Sequence, residues 1–194
     1  MVSLQTQRLI LRPFQKDDVD DFYNYAKHPE VGPKAGWPAH TSRRESKRIL
    51  EASMLDRPGV FAIEEKETNT VIGSISYQVD GLRVSQSGYF EIGYALGKQW
   101  WGKGYMTEAV GKVVDYLFRT KKAVLLTARR SPANHRSARV IEKTGFRYVG
   151  TLRQTAYTLE GKIRDTVFYS MTYPEYLAHL KVLEQEDAVK LAEE

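Results

Sequence analysis

Glu91 lies in a strand-like run, Tyr89-Phe90-Glu91-Ile92-Gly93-Tyr94-Ala95-Leu96. Side chains alternate along a strand, so Phe90, Ile92, Tyr94 and Leu96 face one way and Tyr89, Glu91, Gly93 and Ala95 the other. A carboxylate beside two residues with almost no side chain leaves room for a ligand and keeps one ionisable group within its reach. The chemistry open to it is proton abstraction, directly or through a water. The alternative is a buried carboxylate paired with an arginine for structure. Glycines follow at 97, 102 and 104, and from Lys103 the apolar residues Met106, Ala109, Val110, Val113, Val114 and Leu117 recur at helical spacing. Strand, glycine-bearing loop and helix start, in that order, aim backbone N–H groups and a positive dipole end at one point. That suits a phosphate. The same glycines would also serve a tight strand-to-helix turn with no ligand.

Gly97 to Lys103 fits G-x-x-x-x-G-K, but Gly104 stands where a nucleotide-binding P-loop needs a magnesium-binding Ser or Thr. Trp100 and Trp101 would also crowd a triphosphate. The run Gln99-Trp100-Trp101-Gly102-Lys103-Gly104, followed by Tyr105-Met106-Thr107-Glu108-Ala109, reads instead as Q-x-x-G-x-G. It resembles the acetyl-CoA pyrophosphate loop of the GNAT N-acetyltransferases. Further on, Asn134-His135-Arg136-Ser137 and Glu142-Lys143-Thr144-Gly145-Phe146 resemble the CoA-side helix of that family, in its RimJ/RimL branch of ribosomal-protein N-acetyltransferases. Thr6-Gln7-Arg8-Leu9-Ile10-Leu11-Arg12-Pro13 is similar to the opening strand of the same branch. The resemblance covers nearly the whole chain, from about Leu4 to about Tyr173.

The resemblance implies an α/β (α+β) domain around a central mixed, mostly antiparallel, twisted sheet of about seven strands. Its fourth and fifth strands splay apart, and about four helices plus a C-terminal helix flank the sheet. It implies acetyl-CoA as cosubstrate, with Gln99, Gly102, Lys103, Gly104, Tyr105 and Met106 cradling the pyrophosphate. Asn134 would hold pantetheine, and backbone N–H groups at Tyr94, Ala95 and Leu96 would polarise the acetyl carbonyl. Many family members carry a tyrosine seven residues after the asparagine to protonate the leaving thiolate; here that residue is Ile141, which has no proton to give. In the RimJ/RimL branch the role passes to the serine three residues after the asparagine, here Ser137. Asn134 and Ser137 also read simply as caps of a first helical turn. Trp37 either lines the acceptor pocket, where the branch often carries an aromatic, or plugs a hydrophobic gap.

The resemblance gives acetyl transfer to a primary amine, an N-terminal α-amine of a ribosomal protein first among acceptors. A protein α-amine titrates near pH 8, so one carboxylate, Glu91, suffices as base. A polyamine, aminoglycoside or amino acid is the rival acceptor, since fold does not fix substrate. A non-catalytic acyl-CoA-binding regulator is the alternative from another class, kept open by Ile141. Acidic Asp17, Asp18, Asp20, Asp21 and Glu30 would suit a cationic acceptor or merely solvate a helix start.

The elements that must position these groups follow from local pattern. Leu9 to Phe14 reads as a strand and Asp17 to Lys27 as a helix. Val31 to His40 reads as a loop, and Ser42 with Glu45 as a capping box for a helix to Leu55. Val60–Glu65 and Val71–Val79 read as strands, with a polar loop at 81–87. The Gly104–Phe118 helix is followed by a buried parallel strand at Ala123–Ala128, which makes a right-handed βαβ unit. A helix from Asn134 to Gly145, a hairpin of Phe146–Gln154 and Lys162–Thr172, and a helix from Pro174 complete the order. The expected division is one domain over 1–185 with a polar tail over 186–194.

The chain has 194 residues, enough for one buried core, with 42% hydrophobic and 27% charged residues. It has no cysteine, so no acyl-cysteine intermediate can form and transfer must be direct. Its four histidines form no zinc-like pair, and a metal is not expected. No run approaches the ~18 apolar residues a membrane helix needs. The start lacks a signal peptide's build, so a cytoplasmic location is expected. The net charge of +5 concentrates at Arg129, Arg130, His135, Arg136 and Arg139. That cluster would attract CoA phosphates or be a solvated face; nucleic-acid binding lacks interleaved aromatics. A homodimer is possible on this sequence, which does not encode the oligomeric state legibly.

Overall fold

The computed structural model describes residues 2–81 and 88–193. Among the described residues, eight strands form one sheet in the order β1-β2-β3-β4-β5-β6-β8-β7. They are β1 (Leu4–Gln5), β2 (Leu9–Arg12), β3 (Val60–Glu65), β4 (Thr70–Val79), β5 (Tyr89–Leu96), β6 (Leu125–Arg130), β7 (Arg147–Tyr157) and β8 (Ile163–Thr172). Among these described strands, only β5 and β6 pair in parallel. The mixed, mostly antiparallel sheet is as expected, with one strand more, because Leu4 and Gln5 pair with Leu11 and Ile10. The polar loop expected at 81–87 lies, from 82 onward, outside the described residues.

Two hydrophobic layers cover the sheet. On one face α4 (Tyr105–Arg119) buries Met106, Ala109, Val110, Val113, Val114 and Leu117, the stripe its periodicity announced. They meet Ile72, Ile92 and Leu126 from the strands, Ile141 of α5 (His135–Lys143) and Tyr176 of α6 (Tyr173–Glu193). On the other face α1 (Val19–Ala26) and α3 (Arg43–Ser53) bury Phe22, Tyr25 and Leu50 against Ala62, Val71 and Ala95. Adjacent residues Ala95 and Leu96 thus belong to opposite layers, as strand alternation requires.

Local signals placed most ends. Ser42 Oγ accepts from the Glu45 N–H at 3.1 Å, although the Glu45 carboxylate reaches back to the Thr41 N–H, one residue beyond a standard capping box. The loop expected over 31–40 contains a helical turn, α2 (Gly32–Ala35). Pro33 sits in its first turn, where a missing N–H costs nothing. The final helix runs from Tyr173 to Glu193, so it extends through the stretch expected as a polar tail.

Candidate active site

β5 and β6 stay paired from Tyr89 and Leu125 only as far as Ile92 and Ala128, although β5 continues to Leu96 and β6 to Arg130. Past that point they part. The opening is a cavity of about 580 Å³ bordered by Glu91 to Leu96, the start of α4, one side of α5, and Val31, Lys34 and Ala35 at α2. Its size is in the range that holds a small-molecule ligand. On β5 beyond Ile92, the polar groups facing β6 have lost their strand partner. One of them, the Leu96 carbonyl, accepts from the Trp101 indole at 2.7 Å.

Gly102 and Gly104 adopt φ of +78° and +82°, where a side chain is strained, and this turns the loop into the start of α4. Gly104 is the N-cap and offers no side-chain acceptor, so the first N–H groups of α4 stay open at its positive end. The loop is pinned from behind. Arg8 donates to the Lys103 carbonyl at 3.0 Å, lies 4.4 Å from the Tyr105 ring centre and pairs with Glu108 at 2.7 Å. Glu108 also accepts from Thr6 Oγ1 and the Arg8 N–H, and Tyr105 Oη donates to Glu65. Burial would raise the Glu108 carboxyl, but these donors outweigh it and hold it below the usual range. Gly102, Gly104, Tyr105 and Met106 line the cavity; Gln99 and Lys103, expected beside them, do not. Gln99 is exposed in the 3-10 turn of 98–100, and the fixed element of Lys103 is its carbonyl, turned to Arg8.

Asn134 caps α5, its Oδ1 accepting from the Ser137 N–H at 3.2 Å, and its Nδ2 lies 3.4 Å from the Lys34 carbonyl. Ser137 and Asn134 both border the cavity. Ser137 Oγ stands 2.9 Å from Tyr94 Oη. Tyr94 reaches it because β5 alternation turns residue 94 toward α5. Burial pushes the Tyr94 phenol up to about 12, partly offset by the Ser137 hydrogen bond and the Arg130 charge. It therefore keeps its proton at neutral pH. Ile141 is buried in the core at 1% exposure, so no side chain at that position could reach the cavity without repacking. The expected role of Tyr94 was its backbone alone; a hydroxyl on the same face of β5 as Ile92 and Leu96 is the local signal for its side chain.

The basic cluster divides between the two sheet faces. Arg136 stacks 4.8 Å from the Trp101 ring centre, and Arg136 and Arg139 border the cavity from α5. Arg130 donates to Tyr169 at 2.9 Å. Arg129 turns to the opposite face and forms a two-pronged pair with Glu91, both contacts 2.7 Å. Glu91 thus borders the cavity with both oxygens engaged by an arginine, the pairing that its structural alternative called for, and the partner is Arg129. Trp37 is not among the lining residues. Its indole packs 5.2 Å from His40 and fills the space above Gly32, where a Cβ would come within 2.4 Å of it. It plugs the base of α2 and so supports the turn that carries Lys34 and Ala35.

The family model for the acetyltransferase (GNAT) domain matches residues 8–147. The uncharacterized N-acetyltransferase p20 of Bacillus licheniformis is 30% identical over 180 residues, 91% of this chain and 99% of that protein. The [Ribosomal protein uS5]-alanine N-acetyltransferase of Escherichia coli is 30% identical over 118 residues, 61% of this chain and 58% of that protein. A crystal structure of an acetyltransferase (GNAT family) from Bacillus anthracis superposes with a TM-score of 0.79 at 21% identity. The match covers 88% of this chain and 98% of that one.

Proposed function

The chain belongs to the GNAT acetyltransferase family and is an N-acetyltransferase, and from that premise we propose direct transfer from acetyl-CoA to an α-amine at a protein N-terminus. A ribosomal protein is the first acceptor to test, since one relative is named for alanine acetylation of uS5. Such an acceptor would place the reaction in the cytoplasm. The observation that carries the proposal is the parted pair β5 and β6 beside an uncapped helix start, with a carboxylate on one side and two hydroxyls on the other.

In this reading Gly102, Gly104, Tyr105 and Met106 present backbone N–H groups to the pyrophosphate. Arg136 and Arg139 supply positive charge to the phosphates. Asn134 exchanges its contact with the Lys34 carbonyl for the pantetheine amides. Free N–H groups among residues 94–96 polarise the acetyl carbonyl. The amine nitrogen forms a bond to the carbonyl carbon as the carbon–sulfur bond breaks. The amine's proton goes to Glu91, directly or through water, and Ser137, backed by Tyr94, gives a proton to the sulfur. Arg129 fixes the orientation of Glu91 and leaves each oxygen with further lone pairs for an ammonium or water.

The test is thiol release from acetyl-CoA against N-terminal ribosomal-protein peptides, polyamines, aminoglycosides and amino acids. Turnover on peptides, with loss in Glu91→Gln and Ser137→Ala and unchanged acetyl-CoA binding, is the expected result. Tight acetyl-CoA binding without turnover on any amine would overturn it in favour of a non-catalytic binder. A homodimer is a further part of the proposal, supported by the sheet-edge strand β7, where Tyr148, Val149 and Leu152 are exposed. Light scattering checks it.

A further inference from the structure

Resting on the transfer reading above, we propose that Arg164 binds a carboxylate of the acceptor, so that the preferred substrate carries a negative charge a few bonds from its amine. Among the described residues, the buried Arg164 Nε has no hydrogen-bond partner and its guanidinium makes no ion pair. Arg12, another arginine with a mostly buried side chain, is matched by Asp18 and Glu64, and even the more exposed Arg8 and Arg129 pair with Glu108 and Glu91. A guanidinium with a desolvated, unused donor is a standing cost that a bidentate anion would remove.

Its placement puts it at the acceptor end. β6 and β8 pair until Arg130 meets Val167. Arg164 comes three residues beyond Val167 along β8, about 10 Å of strand, where the sheet flanks the open cleft. Alternation gives it the same face as Thr166 and Phe168. Phe168 pairs with Arg129, whose side chain holds Glu91 on that face. Arg164, Thr166 and Glu91 all border the one cavity, and Ala156, opposite Arg164 on β7, is small enough to leave it open.

Charge points the same way. On this face Glu91 is matched by Arg129 and Lys34 by Glu30, which leaves Arg164 as the cation without a counter-charge among these groups. A polyamine or aminoglycoside would meet repulsion there, and a carboxylate would complete the site. The guanidinium fork fits a carboxylate in a way that a lysine ammonium does not. The carboxylate could come from an acidic residue beside a peptide's N-terminus or from a free amino acid.

The experiment compares two acceptor pairs that differ only in that group: a peptide with Asp or Asn at its second position, and an amino acid or its amide. We expect kcat/KM to favour the carboxylate member of at least one pair by about ten-fold. Which pair responds identifies the source. The preference should fall toward unity in Arg164→Gln and persist in part in Arg164→Lys. Calorimetry of the same four compounds against the enzyme–CoA complex gives a readout without turnover. A carboxylate preference in binding with no acetylation would uphold the role of Arg164 and overturn the transfer reading. Equal behaviour within both pairs, or a preference that survives in Arg164→Gln, overturns the role of Arg164 even if acetylation proceeds.

Discussion

Two hydroxyls 2.9 Å apart, Ser137 Oγ and Tyr94 Oη, meet at the cleft from α5 and β5. If they protonate the departing sulfur as a unit, removing either should cost about as much as removing both. We expect Ser137→Ala and Tyr94→Phe each to lower kcat about 10²-fold, with the KM for acetyl-CoA nearly unchanged and the double variant little worse. A solely structural tyrosine would shift thermal stability and leave kcat alone. Because burial lifts the Tyr94 phenol to about 12, the rate should show no falling limb near pH 10, the ordinary tyrosine range. Ser137 was legible as a candidate because the asparagine-to-serine spacing is local. Its tyrosine partner, 43 residues earlier, was not, since only the docking of α5 on β5 brings the two together.

The start of α4 depends on groups that never touch the cavity. Glu108 gathers Thr6, the Arg8 N–H and the Arg8 guanidinium, and so ties β2 and its lead-in to the loop. Its carboxyl titrates below the usual glutamate range, so its stabilisation is present above that range and is lost as pH falls through the depressed value. Glu108→Gln should therefore lower stability at pH 7 by about 2 kcal/mol, a difference that shrinks well below pH 4 in urea titrations. At Gly104 a Cβ would meet Arg8 Nη2 at 3.3 Å in addition to the strain of its positive φ, whereas at Gly102 there is nothing within 4 Å. We expect Gly104→Ala to weaken acetyl-CoA binding more than Gly102→Ala, each carrying about 1 kcal/mol of backbone strain, as calorimetric Kd values would show.

At the scale of the whole molecule, the family match ends at residue 147, yet Ala156, Arg164 and Thr166 of the closing hairpin border the cavity. The C-terminal segment thus furnishes part of the site as well as covering the core. Tyr176 of α6 is 3% exposed, lies 5.0 Å from the Phe118 ring centre, donates to Asp115 and accepts from Arg119 at 3.0 Å. Removing a large buried aromatic leaves a cavity as well as lost contacts. Tyr176→Ala should cost about 3–4 kcal/mol by denaturant unfolding, with turnover of the remaining folded protein largely kept. Tyr176→Phe should separate packing from hydrogen bonding by costing about 1 kcal/mol.

The sequence by itself determined the groups whose geometry depends on near neighbours. These are the glycines that turn into α4, the stripe that buries it, the alternation of β5 and the Asn134 cap. Each is set by backbone dihedrals or by a period of two or 3.6 residues, which adjacent positions encode. Tertiary structure alone decided where β5 leaves β6, that Glu91 faces Arg129, that Tyr94 meets Ser137, that Trp37 supports α2 and that Arg164 is left without a counter-charge. Those outcomes follow from strand register and helix docking across long stretches of chain, and no local window contains both partners.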